Sequence, residues 1–286
     1  MDKLLLIIFI IIRILSNPTA NIFQKKLSSS YSSITINFYT YLILSLLCLH
    51  NIEAVTTYQY TTEFIILVIS CGFLCTMGMV CMIKAINIGE LSVLGPINSY
   101  KSVIGLIIAF FILGETPPLQ GLLGVCLVVL GSRYIFHEEN KKFGIEVLKR
   151  KDIQLRFLAM TLTAIEAVLL KKIILLSSVE ICFMFWCFTG FFWSLILLIS
   201  DKKSPVIKNG KNFFFMFVIA LCLGLMQYST NYVFSKTDVG LALSLFQLSS
   251  AVTVLFGWKI FKEQNVKMKL LGCAIMTIGS CLILLK

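Results

Sequence analysis

Apolar stretches long enough to cross a lipid bilayer alternate with polar connections along almost the whole chain. A membrane-spanning helix needs about 20 predominantly apolar residues, and ten windows of this kind occur. The predicted helices cover Leu4–Gln24, Ser33–Leu49, Glu63–Ile86, Leu91–Leu113, Leu119–Phe136, Ile153–Leu176, Glu180–Ser200, Asn212–Ser235, Val239–Phe261 and Met268–Leu285. The pattern therefore predicts an all-α membrane protein with ten transmembrane helices.

The chain also repeats itself at a distance of 148 residues. The polar connection 137–152 divides the ten predicted helices into two sets of five. The 148-residue offset aligns three residue pairs in the last two helices of each half: Glu115 with Glu263, Gly124 with Gly272, and Gly131 with Gly279. Because five is odd, the second copy must enter the membrane upside down. We therefore expect two inverted repeats, 1–148 and 149–286, with a substrate site near the membrane midplane where they meet.

The residues around these matches resemble a known family. The segment AINIGELSVLGPINSYKSVIGLIIAFFILGETPPLQGLLGVCLVVLGSRYI contains an A-x-x-x-G helix end, a proline in the fourth helix, an LGE turn and a G-x6-G fifth helix. It is similar to the signature of the EamA-type drug/metabolite transporters. The second copy, SKTDVGLALSLFQLSSAVTVLFGWKIFKEQNVKMKLLGCAIMTIGS, resembles it more weakly, with Lys262 where Gly114 stands and Ser244 where Pro96 stands.

The resemblance covers essentially the whole chain and implies ten helices in two inverted repeats. It also implies a central cavity lined mainly by the first four helices of each half. It does not specify a substrate, because these transporters carry amino acids, nucleotide sugars, cationic drugs and other metabolites on one scaffold.

The composition agrees with a membrane protein. Hydrophobic residues make up 58% of the chain and charged residues 14%, against about 25% charged in soluble domains, so most of the surface must face lipid. The net charge of +11 does not indicate nucleic-acid binding, because the basic residues fall between apolar blocks. The ten cysteines lie mostly inside apolar runs without a C-x-x-C pair, which is typical of small buried hydrophobic residues.

The basic residues predict an orientation. Eighteen of the 25 lie at the helix ends that share a side with the central connection, and five lie on the side of the termini. The positive-inside rule then places the central connection in the cytoplasm and both termini outside, whereas the resemblance implies termini inside. We follow the count and expect an integral, multi-pass protein of the cell (plasma or inner) membrane.

Three charged residues lie near the middles of predicted helices: Arg13, Lys101 and Glu166. A charge at membrane depth is costly, so each is a functional candidate. The alternative is that they pair with one another and only fix packing. The acids at the helix ends are interpreted instead as caps and turn residues, with Glu115 and Glu263 at equivalent turns on opposite faces: Glu90, Glu115, Asp238 and Glu263.

Uncharged polar residues accompany these charges. On the first helix Arg13, Asn17, Asn21 and Gln24 share one face around Pro18, which should free a backbone carbonyl towards a cavity. Asn and Gln residues in a membrane bundle often serve only as contacts between helices. The predicted substrate-binding residues are Arg13, Asn17, Asn98, Tyr100, Lys101, Glu166, Gln227, Asn231 and Gln247.

The chain lacks the motifs of common catalytic sites, including H-E-x-x-H, G-x-S-x-G and the phosphate-binding P-loop. Both histidines, His50 and His137, lie at predicted loops. We therefore expect neither an enzyme nor a cofactor or metal. The open alternatives are a membrane scaffold whose buried charges are structural, an exporter of cationic drugs, and an intramembrane transferase with Glu166 as its base.

The function favoured by the sequence is a secondary transporter of a small polar metabolite, working by alternating access. Two cations and one carboxylate at mid-depth suit an amino-acid-like or anionic substrate, with Glu166 facing an ammonium and Arg13 or Lys101 facing a carboxylate or phosphate. The expected partners are this small molecule and the lipid bilayer, without nucleic acid, in a monomer or a homodimer.

Overall fold

The computed structural model describes residues 2–56, 58–104, 118–136, 148–201, 207 and 209–284, and these residues form helices and connections. The α-helices of the first half are α1 (Asp2–Ser28), α2 (Ser33–Cys48), α3 (Ile52–Thr56), α4 (Thr62–Ile88), α5 (Leu91–Leu94) and α6 (Leu119–Ile135). Those of the second half are α7 (Lys151–Leu176), α8 (Val179–Ser200), α9 (Gly210–Lys236), α10 (Val239–Phe246), α11 (Leu248–Phe261) and α12 (Val266–Leu284).

Three helices, α2, α4 and α8, begin where a serine or threonine hydroxyl accepts a hydrogen bond from a free backbone N–H group. Ser32 accepts from the N–H of Thr35 at the start of α2, and Thr61 accepts from that of Phe64 at the start of α4. Ser178 does the same at the start of α8. Such caps replace hydrogen bonds that the first helical turn cannot make internally.

Six helical stretches of the described residues are long and apolar enough to cross a membrane. Two shorter apolar helices, α2 and α6, accompany them. The fourth predicted helix is not continuous: α5 is followed by a 3₁₀ turn, Pro96–Ser99, and a helical stretch resumes before residues 105–117, which lie outside the described part. The count of ten spanning helices, like the repeat bounds 1–148 and 149–286, stays a prediction.

The glycines matched by the 148-residue offset meet one another in space. A Cβ atom at Gly124 would lie 2.6 Å from the carbonyl oxygen of Gly279, and one at Gly272 would lie 2.7 Å from that of Gly131. Only glycine allows two helix backbones to approach so closely. Since Gly124 meets Gly279 while Gly131 meets Gly272, α6 and α12 cross antiparallel, as two inverted copies of one helix should.

The helices at the centre of the molecule are interrupted at matching positions. In the first half the interruption is the Pro96–Ser99 turn, and in the second half Gln247 separates α10 from α11. Ser99 and Gln247 are 148 residues apart, and the Gln247 Oε1 atom lies 3.4 Å from the Ser99 Oγ atom. The two interrupted helices therefore touch where each one breaks, which is the arrangement that builds midplane sites in many transporters.

Candidate functional site

A cavity of about 120 Å³ lies between the two halves, next to the interruptions of the central helices. Six helices and the Pro96–Ser99 turn with the helical stretch that follows it supply its walls. Its polar and charged lining residues are Arg13, Asn17, Asn21, Asn98, Lys101, Arg156, Thr163, Glu166, Gln227 and Thr230. Asn98 and Phe246, which are 148 residues apart, both reach this cavity.

Arg13 projects from α1 and is held at one end of its guanidinium group. Its Nε atom donates to the Thr230 hydroxyl at 3.1 Å, and its Cζ atom lies 4.7 Å above the ring of Phe246. The Nη1 atom is buried without a hydrogen-bond partner among the described residues. Because an unpaired guanidinium N–H in a buried site is costly, this donor is available to a ligand in the cavity.

Glu166 supplies the acidic group of the lining. It is 5% exposed, and its Oε1 atom accepts from the indole N–H of Trp186 at 3.0 Å. The same N–H lies 3.0 Å from the Cys75 thiol, which is also 3.0 Å from the Tyr41 hydroxyl. This network fixes the Trp186 ring and the Glu166 carboxylate against the cavity wall.

Arg156 is a lining residue that the sequence interpretation missed. It was counted with the central connection, but it lies within α7, is 8% exposed and reaches the cavity. Its Nε atom donates to the Leu94 carbonyl at 2.9 Å, and an Nη2 donor lies 3.3 Å from Asn98 Oδ1. The sequence contains a pattern that identifies Arg156, because Arg156, Thr163 and Glu166 recur at the spacing of one helix face.

Six of the nine predicted substrate-binding residues line the cavity: Arg13, Asn17, Asn98, Lys101, Glu166 and Gln227. The other three, Tyr100, Asn231 and Gln247, do not line it. Gln247 donates to the Asn98 carbonyl at 3.3 Å, Asn231 accepts from Gln227 at 2.9 Å, and Tyr100 packs edge-on against Phe157. Helix spacing placed these residues on the right helices, but it could not separate those that face the cavity from their neighbours.

The cavity lining contains more basic side chains than acidic ones. Three cationic side chains, Arg13, Lys101 and Arg156, surround one carboxylate, Glu166. The ion pairs found among the described residues all join other side chains. A cavity within the membrane that has three basic side chains and one acidic one favours a ligand that brings negative charge.

Among the described residues no group of three or more His, Cys, Asp or Glu side chains is arranged to hold a metal ion. The lining offers fixed hydrogen-bond donors, one carboxylate and an aromatic face, which are the elements of a binding site for a small polar molecule.

Comparisons with known proteins agree with this architecture. No curated protein matched the sequence. One solved structure, described only as a crystal structure of a protein, superposes with a TM-score of 0.63 at 14% identity, covering 94% of this chain and 95% of that one. At that identity the likeness shows the fold alone.

The sequence model of the EamA-like transporter family matches residues 4–136 and 151–285. The match covers nearly the whole chain and consists of two copies, one in each half. It confirms the resemblance found in the sequence and the expectation of a multi-pass membrane transporter instead of an enzyme. The chain belongs to the EamA-like transporter family.

Proposed function

We propose that this protein is a secondary transporter that moves a small anionic or zwitterionic metabolite by exposing the central cavity alternately to the two sides of the membrane. The observation that carries the proposal is the cavity lining, in which three cations and one carboxylate lie together without an ion pair among the described residues. A buried charge without an opposite charge beside it is costly, so a ligand that supplies the opposite charge would bind strongly and specifically.

Each charged group suits one part of such a ligand. The Arg13 guanidinium has a free Nη1 donor beside its fixed Nε atom, and a planar fork grips a carboxylate or phosphate at two points. Lys101 and Arg156 add positive charge to the same cavity. Glu166, held by Trp186 on one oxygen, would face the ammonium group of an amino-acid-like ligand.

The alternatives agree less well with this lining. A cationic drug would meet three positive side chains and one negative one, and like charges in a low-dielectric cavity repel strongly. A scaffold protein has no need of an unsatisfied Arg13 donor in a cavity between two repeats. A transferase using Glu166 as its base would place this chain outside the transport function of its family.

A binding screen tests the substrate class. Detergent-purified protein would be heated with three matched panels: anionic, zwitterionic and cationic metabolites of similar size. A ligand at 100 times its dissociation constant stabilises the folded protein by about 2.7 kcal/mol, so anionic or zwitterionic compounds should raise the melting temperature. Uptake of the compounds that bind would then be measured in proteoliposomes. Stabilisation and uptake confined to cationic compounds would contradict the proposal.

The orientation is part of the proposal. We expect the central connection in the cytoplasm and both termini outside the cell membrane, because most of the basic residues lie on the side of the central connection. A reporter fused after Lys286 that is active only in an oxidising compartment should therefore be active. An inactive reporter on a full-length, membrane-inserted fusion would reverse the orientation and leave the proposed substrate class unaffected.

A further inference from the structure

Gln24 is a fully buried side chain that has no hydrogen-bond partner. It is 0% exposed, and neither its Oε1 nor its Nε2 atom has a partner among the described residues. An amide buried in this way is costly, because it loses its bonds to water without replacing them. Such a group in a membrane protein suggests a surface that meets water or a polar ligand in another conformation.

Gln24 continues the polar face of α1 beyond the cavity. Arg13, Asn17 and Asn21 line the cavity, and Gln24 follows on the same face, one turn after Asn21. Each residue of a helix advances by about 1.5 Å, so Gln24 lies about 4.5 Å further towards the face of the central connection. The polar track thus extends past the point where the cavity ends.

The track ends at a cluster of charged side chains that joins the two halves. Lys25 Nζ donates to Glu263 Oε1 at 2.8 Å and to the Gly89 carbonyl at 2.9 Å. Lys269 forms an ion pair with Glu90 and donates to the Ser92 hydroxyl at 2.8 Å. Lys25 and Glu90 belong to the first half, while Glu263 and Lys269 belong to the second. We call these four residues the latch.

Glu263 is the centre of the latch. Its two carboxylate oxygens accept from the backbone N–H groups of Leu91 at 2.9 Å and Ser92 at 2.8 Å. This agrees with the expectation that Glu263 lies in a turn and satisfies helical N–H groups, although those groups belong to the other half of the chain. Its sequence counterpart, Glu115, lies outside the described residues.

The turn that presents Glu263 is shaped for this contact. Lys262 has a φ of 57°, in the left-handed region that glycine adopts most easily, and the resemblance places Gly114 at the matching position. A Cβ atom on Gly257 would lie 2.3 Å from Glu263 Oε2. The backbone therefore accepts an unfavourable conformation and leaves room for the carboxylate.

The cavity extends further towards the opposite face of the membrane than it does towards the latch. The lining residues Leu170 and Phe234 lie next to Lys171, which donates to the backbone carbonyls of Phe234 and Thr237. Thr237 follows Gly89 by 148 residues, so the two residues hold matching positions in the two halves. Lys25 binds the Gly89 carbonyl at the latch, and Lys171 binds the Thr237 carbonyl at the opposite end of the cavity. The cavity reaches the level of Lys171 at this end, whereas it stops one turn short of the latch at the other.

We infer that the latch is the gate that closes the cavity on the face of the central connection, and that Gln24 is a polar surface of the path that opens when the latch breaks. Both ion pairs of the latch connect residues of different halves, so the halves cannot separate on this face while the pairs persist. Opening would hydrate Gln24 and remove the cost of burying it. This inference rests on the proposed transport function, but its test needs no substrate.

The test measures how fast a cysteine at position 24 reacts with a water-soluble, membrane-impermeant maleimide. Gln24→Cys would be introduced into the otherwise native chain, alone and together with Glu263→Gln or Lys25→Met. Labelling at residue 24 would be read by peptide mass spectrometry on detergent-purified protein. The matched control is Glu63→Gln, which removes one partner of the exposed Lys172–Glu63 pair away from the latch.

Both latch variants should label residue 24 about tenfold faster than Gln24→Cys alone, the factor that corresponds to a shift of about 1.4 kcal/mol in the gate equilibrium. Glu63→Gln should leave the rate unchanged. The native Cys187, which is 0% exposed, reports on general unfolding in the same sample and should stay unlabelled.

Unchanged labelling at residue 24 in both latch variants would overturn the inference. So would an increase that Cys187 shares, because that result shows loss of the fold instead of opening of a gate. If Glu263→Gln failed to fold, Lys25→Met would decide the question alone, since it leaves the bonds of Glu263 to Leu91 and Ser92 in place. A failed substrate screen would not affect this result.

Discussion

Helix α1 gives one charged side chain to the cavity, Arg13, and one to the latch, Lys25. They lie about three helical turns apart, and the two regions satisfy their charges in different ways. At the latch, Lys25 and Lys269 each bind a carboxylate, and Glu263 also accepts two backbone N–H groups. In the cavity, Arg13 keeps a buried donor without a partner among the described residues. Both sets lie at the contact between the two halves.

This difference separates two uses of charge in a membrane. Buried charges that are paired and hydrogen-bonded hold one arrangement of the chain, and removing one partner is strongly destabilising. A charged group that keeps a donor without a partner offers the binding energy of that donor to a ligand. The latch therefore bears on the conformation of the protein, and the cavity bears on what the protein binds.

The largest effect is expected from a substitution of Arg13 in the cavity, which tests whether its unpaired donor binds the ligand. With an anionic or zwitterionic ligand found by the binding screen, Arg13→Lys should raise the dissociation constant at least about 30-fold, because misaligning one partner of a charged pair costs about 2–5 kcal/mol. Isothermal titration on purified protein measures this constant. Arg133→Lys, at an exposed residue near the end of α6, is the matched control and should bind as the parent does.

A substitution of Glu166 distinguishes zwitterionic from purely anionic ligands. Glu166→Gln should weaken a zwitterionic ligand, which loses the partner of its ammonium group, and should strengthen a purely anionic one, which loses a repelling charge. Equal effects on both ligand classes would show that Glu166 serves packing with Trp186 and does not contact the ligand.

The next effect concerns the latch. Burial by itself would raise the pKa of the Glu263 carboxyl, but hydrogen bonds from Lys25 and Ser92 and the charge of Lys25 lower this pKa below its ordinary value of 4.5. A lowered pKa in the folded protein stabilises the fold above the ordinary value, and that stabilisation is lost as the pH falls through the folded-state pKa. Glu263→Gln should therefore reduce the free energy of unfolding at neutral pH by about 1.5–3 kcal/mol. The melting temperature should fall accordingly.

The pH dependence provides the check on this prediction. Since a protonated Glu263 resembles glutamine, the melting temperatures of the parent and Glu263→Gln should converge as the pH is lowered below about 4.5. Thermal unfolding in detergent across this range measures the difference. A difference that stays constant with pH would mean that the charge of Glu263 does not stabilise the latch.

A smaller effect is expected at Gln24, where the two regions meet. Gln24→Leu keeps the approximate size of the side chain and removes two polar atoms that have no partner among the described residues. The closed state should gain about 1 kcal/mol of stability, which thermal unfolding would show as a higher melting temperature, while transport should slow because the path loses a polar surface. Faster transport by Gln24→Leu would contradict this assignment.

The sequence predicted this molecule unevenly, for physical reasons. Apolar length identifies the long helices because it depends on local composition, and the 148-residue offset identifies the two copies, which the family matches to 4–136 and 151–285 confirm. Arg13 and Glu166 were found because a charge inside an apolar run stands out. Arg156 was missed because it lies next to a run of loop charges, where composition hides a helix face.

Contacts between the halves lay beyond such reasoning. The turn of Glu263 was predicted, but its bonds to Leu91 and Ser92 join residues more than 170 positions apart. Helical spacing specifies neighbours on one helix and says nothing of which helix lies opposite. The latch therefore became visible only in the structure.

The smallest effect is expected at the exposed ion pair between Lys172 and Glu63, which serves as the reference for the latch. Lys172 and Glu63 lie 2.5 Å apart, closer than Lys25 and Glu263, yet their side chains are 54% and 55% exposed, against 18% and 5% at the latch. If distance decided the strength of an ion pair, the exposed pair would be the stronger one. Water and salt screen an exposed pair, so we expect a coupling energy of about 0.2–1 kcal/mol that falls with added salt.

A double-mutant cycle with Lys172→Met and Glu63→Gln, read by thermal unfolding, measures the coupling energy of the exposed pair, and the same cycle with Lys25→Met and Glu263→Gln measures that of the latch. The latch should show the larger coupling and the weaker dependence on salt, because burial reduces screening. Equal coupling energies would mean that the Lys25–Glu263 pair stabilises the protein no more than an ordinary surface ion pair does. The latch would then not hold the two halves together.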